Sequence, residues 1–374
     1  MTATFHKTVE AYRAGARTLP REYYTSPAIL EQERQRLFST MWHCAGRAGA
    51  VAEPGAFMVR DVAGESIIIV RGKDGRLRAL FNVCRHRGTR ICTEHSGKFS
   101  GSIQCPYHAW TYGIDGRLIG APHMNEVEGF DRKDYPLHEA AVAEWEGFVF
   151  VNVAREPGPF DEWFAPMIGR LARYGIGALR VGHSARYEVQ ANWKLVFQNY
   201  SECLHCPMIH PELSTMMPYT SGANDLIAGP FLGGYMELNN ESATMSGKAC
   251  GRLVSPALPA DDRKRAYYYT LMPNMALSIH PDYVNYYILT PLAVDRTLVE
   301  SEWMFAAENE GNPAFNPKDA IEFWDVTNRQ DWAICEQSQA GVSSSRYEPG
   351  PYSPRESMPA AWDHEYLRLM GRTG

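Results

Sequence analysis

Two short Cys-and-His pairs constrain this chain more than any other feature. They read Cys84-Arg85-His86 and, after eighteen intervening residues, Cys105-Pro106-Tyr107-His108. Each pair lies beside a short apolar run, so neighbouring loops on one scaffold can bring two thiolates and two imidazoles to a common point. The bland alternative is two buried thiols and two surface histidines, against which four matched positions stand. Zinc accepts two Cys and two His. Finger spacing, however, places both Cys in one half and both His in the other, and here each half mixes the types.

A mixed pairing suits a two-iron, two-sulfide cluster with both thiolates on one iron and both imidazoles on the other, which is Rieske ligation. Neutral imidazoles leave such a cluster less negative than thiolates would, so it holds an added electron more easily and serves as an electron relay. Cys84, His86, Cys105 and His108 are therefore the candidate cluster ligands. Arg87-Gly88 after the first pair, and Pro106, Gly113 and Gly116 around the second, suit the tight turns such loops need.

With 374 residues the chain exceeds the roughly 250–300 at which single cores stop growing, so two domains are expected. Ordinary apolar and charged fractions and a formal charge of -6 give no reason to expect a nucleic-acid partner. Residues 1–22 are polar and charged without the apolar core of a signal peptide, and no run is long enough to span a bilayer. A cytoplasmic protein with no membrane partner is the expectation. Eight cysteines do not make a disulfide scaffold at this length. Those outside the cluster are expected to be reduced, with Cys44, Cys92 and Cys250 read as core or incidental thiols.

A lead-in helix is expected over Ile29 to Met41, started by Ser26-Pro27. Short strands then follow at Phe57 to Arg60, Ser66 to Val70 and Leu77 to Val83, with a later member at Gly147 to Val153. This antiparallel β domain closes near Arg155-Glu156-Pro157-Gly158-Pro159. Beyond it, Phe160 to Tyr174 reads as an amphipathic helix and Ala185 to Val189 as a strand. An antiparallel sheet is expected across 266–304, and a long helix from Lys318 to Ala340 as the last element, with Pro349, Pro351 and Pro354 in irregular chain after it.

The second informative stretch runs from Asn192 to Pro211. Its first half has helical spacing, while Pro207 disfavours a regular helix through Cys203 to His210. A bend there lets His205 and His210 converge, and one carboxylate would complete a 2-His-1-carboxylate triad for non-haem Fe(II). Cys203-Leu204-His205-Cys206 admits a second reading, as a redox or zinc Cys-x2-Cys pair.

Together these stretches resemble the α subunits of Rieske non-haem iron oxygenases, over nearly the whole chain. The cluster pairs match the family's motif, and Asn192-Trp193-Lys194 followed by Asn199-Tyr200-x-Glu202-x2-His205-x4-His210-Pro211 is similar to its iron motif. The resemblance implies an α+β fold. An antiparallel-β Rieske [2Fe-2S] domain (42–156) would follow a helical lead-in (1–41) packed on the catalytic domain. That domain (157–374) would be helix-grip-like, its antiparallel sheet flanked by helices. It makes His205 and His210 ligands of a mononuclear Fe(II), with Asp331 as third ligand and Asp325 and Glu336 as competitors. It places Asn199 with Glu202 among the catalytic residues, Glu202 linking His205 to His108 of a neighbouring subunit. Two positions depart from the family pattern: Gln198 stands where many members have Glu, and Leu204 where many have Tyr.

What the resemblance implies is a terminal oxygenase with dioxygen as cosubstrate, assembled as a homotrimer in which electrons pass between subunits. The chain lacks a Gly-x-Gly-x2-Gly fingerprint, so NAD(P)H would act indirectly, through a separate flavin/iron-sulfur reductase. The residues from Tyr200 to Pro207 and from Ser278 to Tyr283 are most similar to members that oxidatively N-demethylate betaine-like quaternary ammonium compounds. Tyr267 to Tyr269, Tyr283, Tyr286, Tyr287 and Trp303 are candidates for an aromatic box, or for sheet packing. The alternatives are hydroxylation or O-demethylation of an aromatic acid and, in another class, a Rieske electron-transfer protein. An arginine near the iron would favour a carboxylated substrate.

Overall fold

The run Ile67-Ile68-Ile69-Val70 is buried at every position, where a strand with one wet face would alternate. Both faces of its strand, Glu65–Arg71, are covered. Ile68 and Val70 join Leu80, Cys84, Cys105, Trp110 and Tyr112 in one core, while Ile67 and Ile69 join Ala79, Val149 and Val151 in another. In this computed structural model, which describes residues 4–372, the strand is central to an antiparallel seven-stranded sheet. The sheet runs in the order His43–Arg47, Phe148–Asn152, Glu139–Trp145, Leu77–Phe81, Glu65–Arg71, Ala56–Val62 and Ser96–Lys98. A three-stranded sheet of Ser102–Gln104, Thr111–Gly113 and Leu118–Gly120 completes this compact unit, residues 34–165. The first core thus lies directly under both Cys-His loops.

The other unit comprises residues 1–33 and 166–374. Its eight-stranded sheet is antiparallel throughout, in the order His6–Lys7, Ala223–Leu226, Phe231–Glu237, Arg265–Leu271, Met275–Ile279, Tyr283–Ala293, Arg296–Phe305 and Arg180–Val189. Besides a single turn at Glu22–Thr25, its α-helices are α1 (Pro27–Glu33), α2 (Trp193–Tyr200), α3 (Cys206–Ile209), α4 (Pro211–Met216), α5 (Pro317–Val342) and α6 (Ser357–Leu369). Asn192 caps α2 by accepting from the Lys194 backbone N–H at 3.0 Å. Buried Ala320, Phe323, Trp324, Thr327, Asn328, Trp332, Cys335 and Gln339 recur at helical spacing and lay one face of α5 inward. No helix among the described residues is long and apolar enough to cross a membrane. The outermost residues of the expected lead-in and catalytic segments, 1–3 and 373–374, lie outside the described residues.

Four local expectations are corrected. Only Phe160–Trp163 of the helix expected to Tyr174 is α-helical, because Pro166 lacks a donor and Gly169 adopts φ +74°. The lead-in helix is regular to Glu33 and continues as π-helix over Arg34–Phe38. The strand expected from Ala185 begins at Arg180, its first residues exposed and polar enough to hide it. The chain also does not end in irregular structure. Ser353 and Glu356 form a capping box, and α6 follows with Trp362 and Tyr366 buried four residues apart.

Candidate active site

In the cluster unit the two loops repeat one backbone device. Gly88 N–H donates to the Cys84 carbonyl and Ala109 N–H to the Cys105 carbonyl, and both donors sit at positive φ, +75° and +57°. Each thiol is buried, whereas His86 is exposed and His108 only half-buried. The imidazole rings lie 4.8 Å apart between centroids, His86 also stacking on Trp110. Partial desolvation against its neighbours, then the nearby charges of His108 and Arg87, push the His86 pKa down and favour the neutral, ligating form. Burial foremost, and the facing Cys84, push the Cys105 thiol up, a penalty on its thiolate that a bound cation would relieve. Tyr112, which the motif does not reveal, receives the Arg85 backbone N–H at 3.0 Å, leaving its hydroxyl hydrogen for Cys84 Sγ at 3.4 Å.

The second centre is assembled from two regions of the other unit. After α2 the chain breaks helical form, passes His205 and Pro207 into α3, and places His210 at the junction with α4. The two rings stand 5.3 Å apart and nearly perpendicular. Asp331, on the inward face of α5, brings Oδ1 to 2.8 Å from His210 Nε2 and 3.3 Å from His205 Nε2. One ligand atom from each of the three lies within 4.8 Å of the others. The competing acids are engaged elsewhere: Asp325 accepts from Tyr187 and Arg329, and Glu336 from the Gln190 backbone N–H.

The outer nitrogens of both rings are also fixed. His205 Nδ1 lies 2.6 Å from Glu202 Oε1 and His210 Nδ1 lies 2.7 Å from Gln330 Oε1; both oxygens only accept, so both Nδ1 atoms carry the hydrogen. Each Nε2 is thereby turned towards Asp331. Burial pushes the His205 pKa down, but the ring's hydrogen bonds to Asp331 and Glu202 outweigh it and raise it to about 10. The same contest raises His210 and holds Asp331 low. Two imidazoles on one carboxylate oxygen therefore demand positive charge between them, as ring protons or as a divalent cation, which fits Fe(II). Gln330 escaped sequence reasoning although it precedes Asp331 directly; an acceptor beside a candidate ligand was the available signal.

A cleft open to solvent holds this triad together with Asn199, Glu202, Tyr200, Tyr219, Tyr235, Tyr268 and Trp324. Of the residues expected to form an aromatic box, only Tyr268 lines it. Strand alternation turns Tyr267 and Tyr269 to the opposite face, where they bond Asp262 and Asp225. Tyr283, Tyr286 and Tyr287 bond Ala243, Glu302 and Asn328, and Trp303 is buried in the core. The stretch from Ser278 to Tyr283 backs the wall, Ser278 bonding the Tyr200 hydroxyl at 2.7 Å and His280 stacking on Tyr283.

Cys203 and Cys206, expected to be reduced, form a disulfide around His205 because the break after α2 brings their Cα atoms to 4.9 Å. Gln198 has a physical reason as well. Its amide donates to buried Asp363 at 2.5 Å, where a glutamate would face a second acid.

Residues 41–131 match the Rieske [2Fe-2S] domain, and residues 176–372 match the ring hydroxylating alpha subunit (catalytic domain). The chain is 30% identical over 376 residues to the glycine betaine monooxygenase oxygenase subunit of Chromohalobacter salexigens, covering 91% of this chain and 83% of that protein. It is 26% identical to the chloroplastic choline monooxygenase of Spinacia oleracea, over 90% of this chain and 74% of that one. A quaternary ammonium Rieske monooxygenase, solved for insight into carnitine oxidation and inter-subunit electron transfer, matches with a TM-score of 0.81. It shares 26% identity, with 98% of this chain and 100% of that chain covered.

Proposed function

Because the chain belongs to the family of ring-hydroxylating Rieske oxygenase α subunits, we propose that it oxidises an N-methyl group of a small quaternary ammonium compound as a terminal oxygenase. The observation that carries this reading is the wall of Tyr200, Tyr268 and Trp324 on the same cavity as the His205, His210 and Asp331 triad. Aromatic faces attract a tetraalkylammonium through their quadrupoles and offer it no competing hydrogen-bond donors. The names of the relatives support the same class of substrate, small quaternary ammonium compounds.

Cys84, His86, Cys105 and His108 would hold the [2Fe-2S] cluster, and His205, His210 and Asp331 the mononuclear iron. When bound, these groups supply stored electrons and activate dioxygen. The chain's own part is orientation. Glu202 and Gln330 hold both imidazoles with Nε2 inward, and Tyr112 supports Cys84. Glu202 also accepts from the Leu204 and His205 backbone N–H groups, which fixes its carboxylate beside the outer nitrogen of His205. There it has lone pairs left for the partner subunit's His108, which supports electron transfer between chains of a homotrimer. Electrons would come from NAD(P)H through a separate flavin/iron-sulfur reductase, a supply that suits the cytoplasm. In the overall reaction one oxygen atom enters a methyl C–H bond. The other leaves as water with two electrons and two protons, and the N-hydroxymethyl product releases formaldehyde, a proton and the tertiary amine.

A single-turnover screen tests this. The reduced holoprotein is mixed with dioxygen and either quaternary amines or aromatic acids, and formaldehyde and hydroxylated products are measured. Formaldehyde from a quaternary amine is expected. Product from aromatic acids alone would replace the proposal with aromatic hydroxylation or O-demethylation.

A further inference from the structure

We propose that Arg355 reads a carboxylate on the substrate, so that the cavity selects zwitterionic quaternary ammonium acids over alcohols of the choline type. The inference rests on the quaternary ammonium reading above and specifies what the far end of that cation must carry.

The charged groups along the cavity are sharply divided. Glu202 and Asp331 gather with His205 and His210 at the triad, and Arg355 is the only lysine or arginine among the described residues that line the cavity. It lies in the helical turn Pro354–Glu356 just before α6 and is exposed, which puts it at the rim. Four other arginines of this unit are neutralised, Arg170 by Asp225, Arg173 by Asp262, Arg329 by Asp325 and Arg368 by Glu365, and none of these four lines the cavity. No ion pair engages Arg355 among the described residues. Its recorded contact is the face of Tyr219, 5.5 Å from the ring centroid, and Tyr219 lines the same cavity.

This arrangement leaves a guanidinium fork with no acidic partner among the described residues, braced on an aromatic plane and turned to the cavity that holds the triad. Arginine matches a carboxylate with two parallel N–H donors, which a neutral hydroxyl cannot reciprocate. The aromatic wall beside the triad receives the methyl groups, while the carboxylate finds its paired donors at Arg355. The two ends together impose one direction on a zwitterion: methyls towards the triad, carboxylate towards the rim. Choline offers only the first of these anchors. Arg355 is therefore an anchoring residue that sets specificity without touching the reacting carbon.

The test is equilibrium binding of glycine betaine and choline to the holoprotein and to its Arg355→Gln and Arg355→Lys variants, alongside steady-state KM for each compound. Arg355→Gln is expected to weaken betaine binding roughly 10- to 100-fold, the range for loss of a charge-assisted hydrogen bond. Choline binding should stay near the wild-type value, and Arg355→Lys should fall between because it restores charge without the fork. An exposed position predicts unchanged melting temperature and cluster absorption. A betaine-to-choline ratio that does not move in Arg355→Gln, including equal loss of both, overturns the anchor. Wild-type protein that binds neither cation overturns the quaternary ammonium reading itself, and the anchor with it.

Discussion

The two metal-binding regions are built by opposite strategies. The cluster loops take their four candidate ligands from one short stretch, on two turns that repeat the same carbonyl-to-amide bond over one core. The iron site joins His205 and His210, on a broken segment after α2, to Asp331 on a helix far along the chain. The first is local and its ligands are steadied by backbone. The second exists only when α5 is docked, and its ligands are steadied by the side chains Glu202 and Gln330. Perturbing packing or side-chain hydrogen bonds should therefore cost the iron site more than the cluster.

The largest break in that comparison is His210→Ala. It should remove the mononuclear iron while the visible absorption of the cluster stays intact, lowering iron from about three to about two per chain. Metal analysis with electron paramagnetic resonance checks this, and full iron content would reject His210 as a ligand. Next, Glu202→Gln keeps an acceptor for His205 but loses the charge. Both metals should stay bound while dioxygen-driven reoxidation of the cluster slows at least roughly 100-fold, measured by stopped flow. A smaller effect is expected for Gln330→Ala, which frees the outer nitrogen of His210. Iron affinity should fall roughly 10- to 100-fold in chelator competition, with cluster content unchanged. Loss of the cluster in that variant would contradict the independence of the two regions.

The smallest effect concerns pH. Burial raises the Asp363 carboxyl, against Gln198, Tyr352 and Lys194, from 3.8 to about 7. A folded pKa above the unfolded one contributes stability that is fully present below about pH 4 and is lost as pH rises through about 7. Denaturant titrations should show the catalytic unit losing on the order of 1 kcal/mol or more across that window. Asp363→Asn should flatten this loss, and an unaltered slope would show that Asp363 does not titrate there.

What could be read from the chain follows the same division. Cys84, His86, Cys105 and His108 announce themselves because local spacing and ligand chemistry suffice. His205 and His210 needed only the bend that Pro207 foretells. Asp331 rested on the resemblance, with Asp325 and Glu336 as competitors, until the docking of α5 separated them: Asp331 continues the inward stripe of Trp324, Asn328 and Cys335. The aromatic box was misplaced because which tyrosines of a doubly covered sheet face a cavity depends on register and on what packs against each face. Helix α6 was masked by the three prolines before it, although the capping box of the turn that leads into it was present in the sequence.

By itself, then, the sequence determined the ligand types, the two-domain plan and the family, because these are matters of composition and short-range spacing. Only the tertiary structure decided which acid meets the two histidines, that Gln330 orients one of them, that Cys203 pairs with Cys206, and that Arg355 shares a cavity with the triad. The disulfide follows from the local break after α2; each of the others depends on elements distant in sequence being packed together, and no local propensity encodes such a meeting.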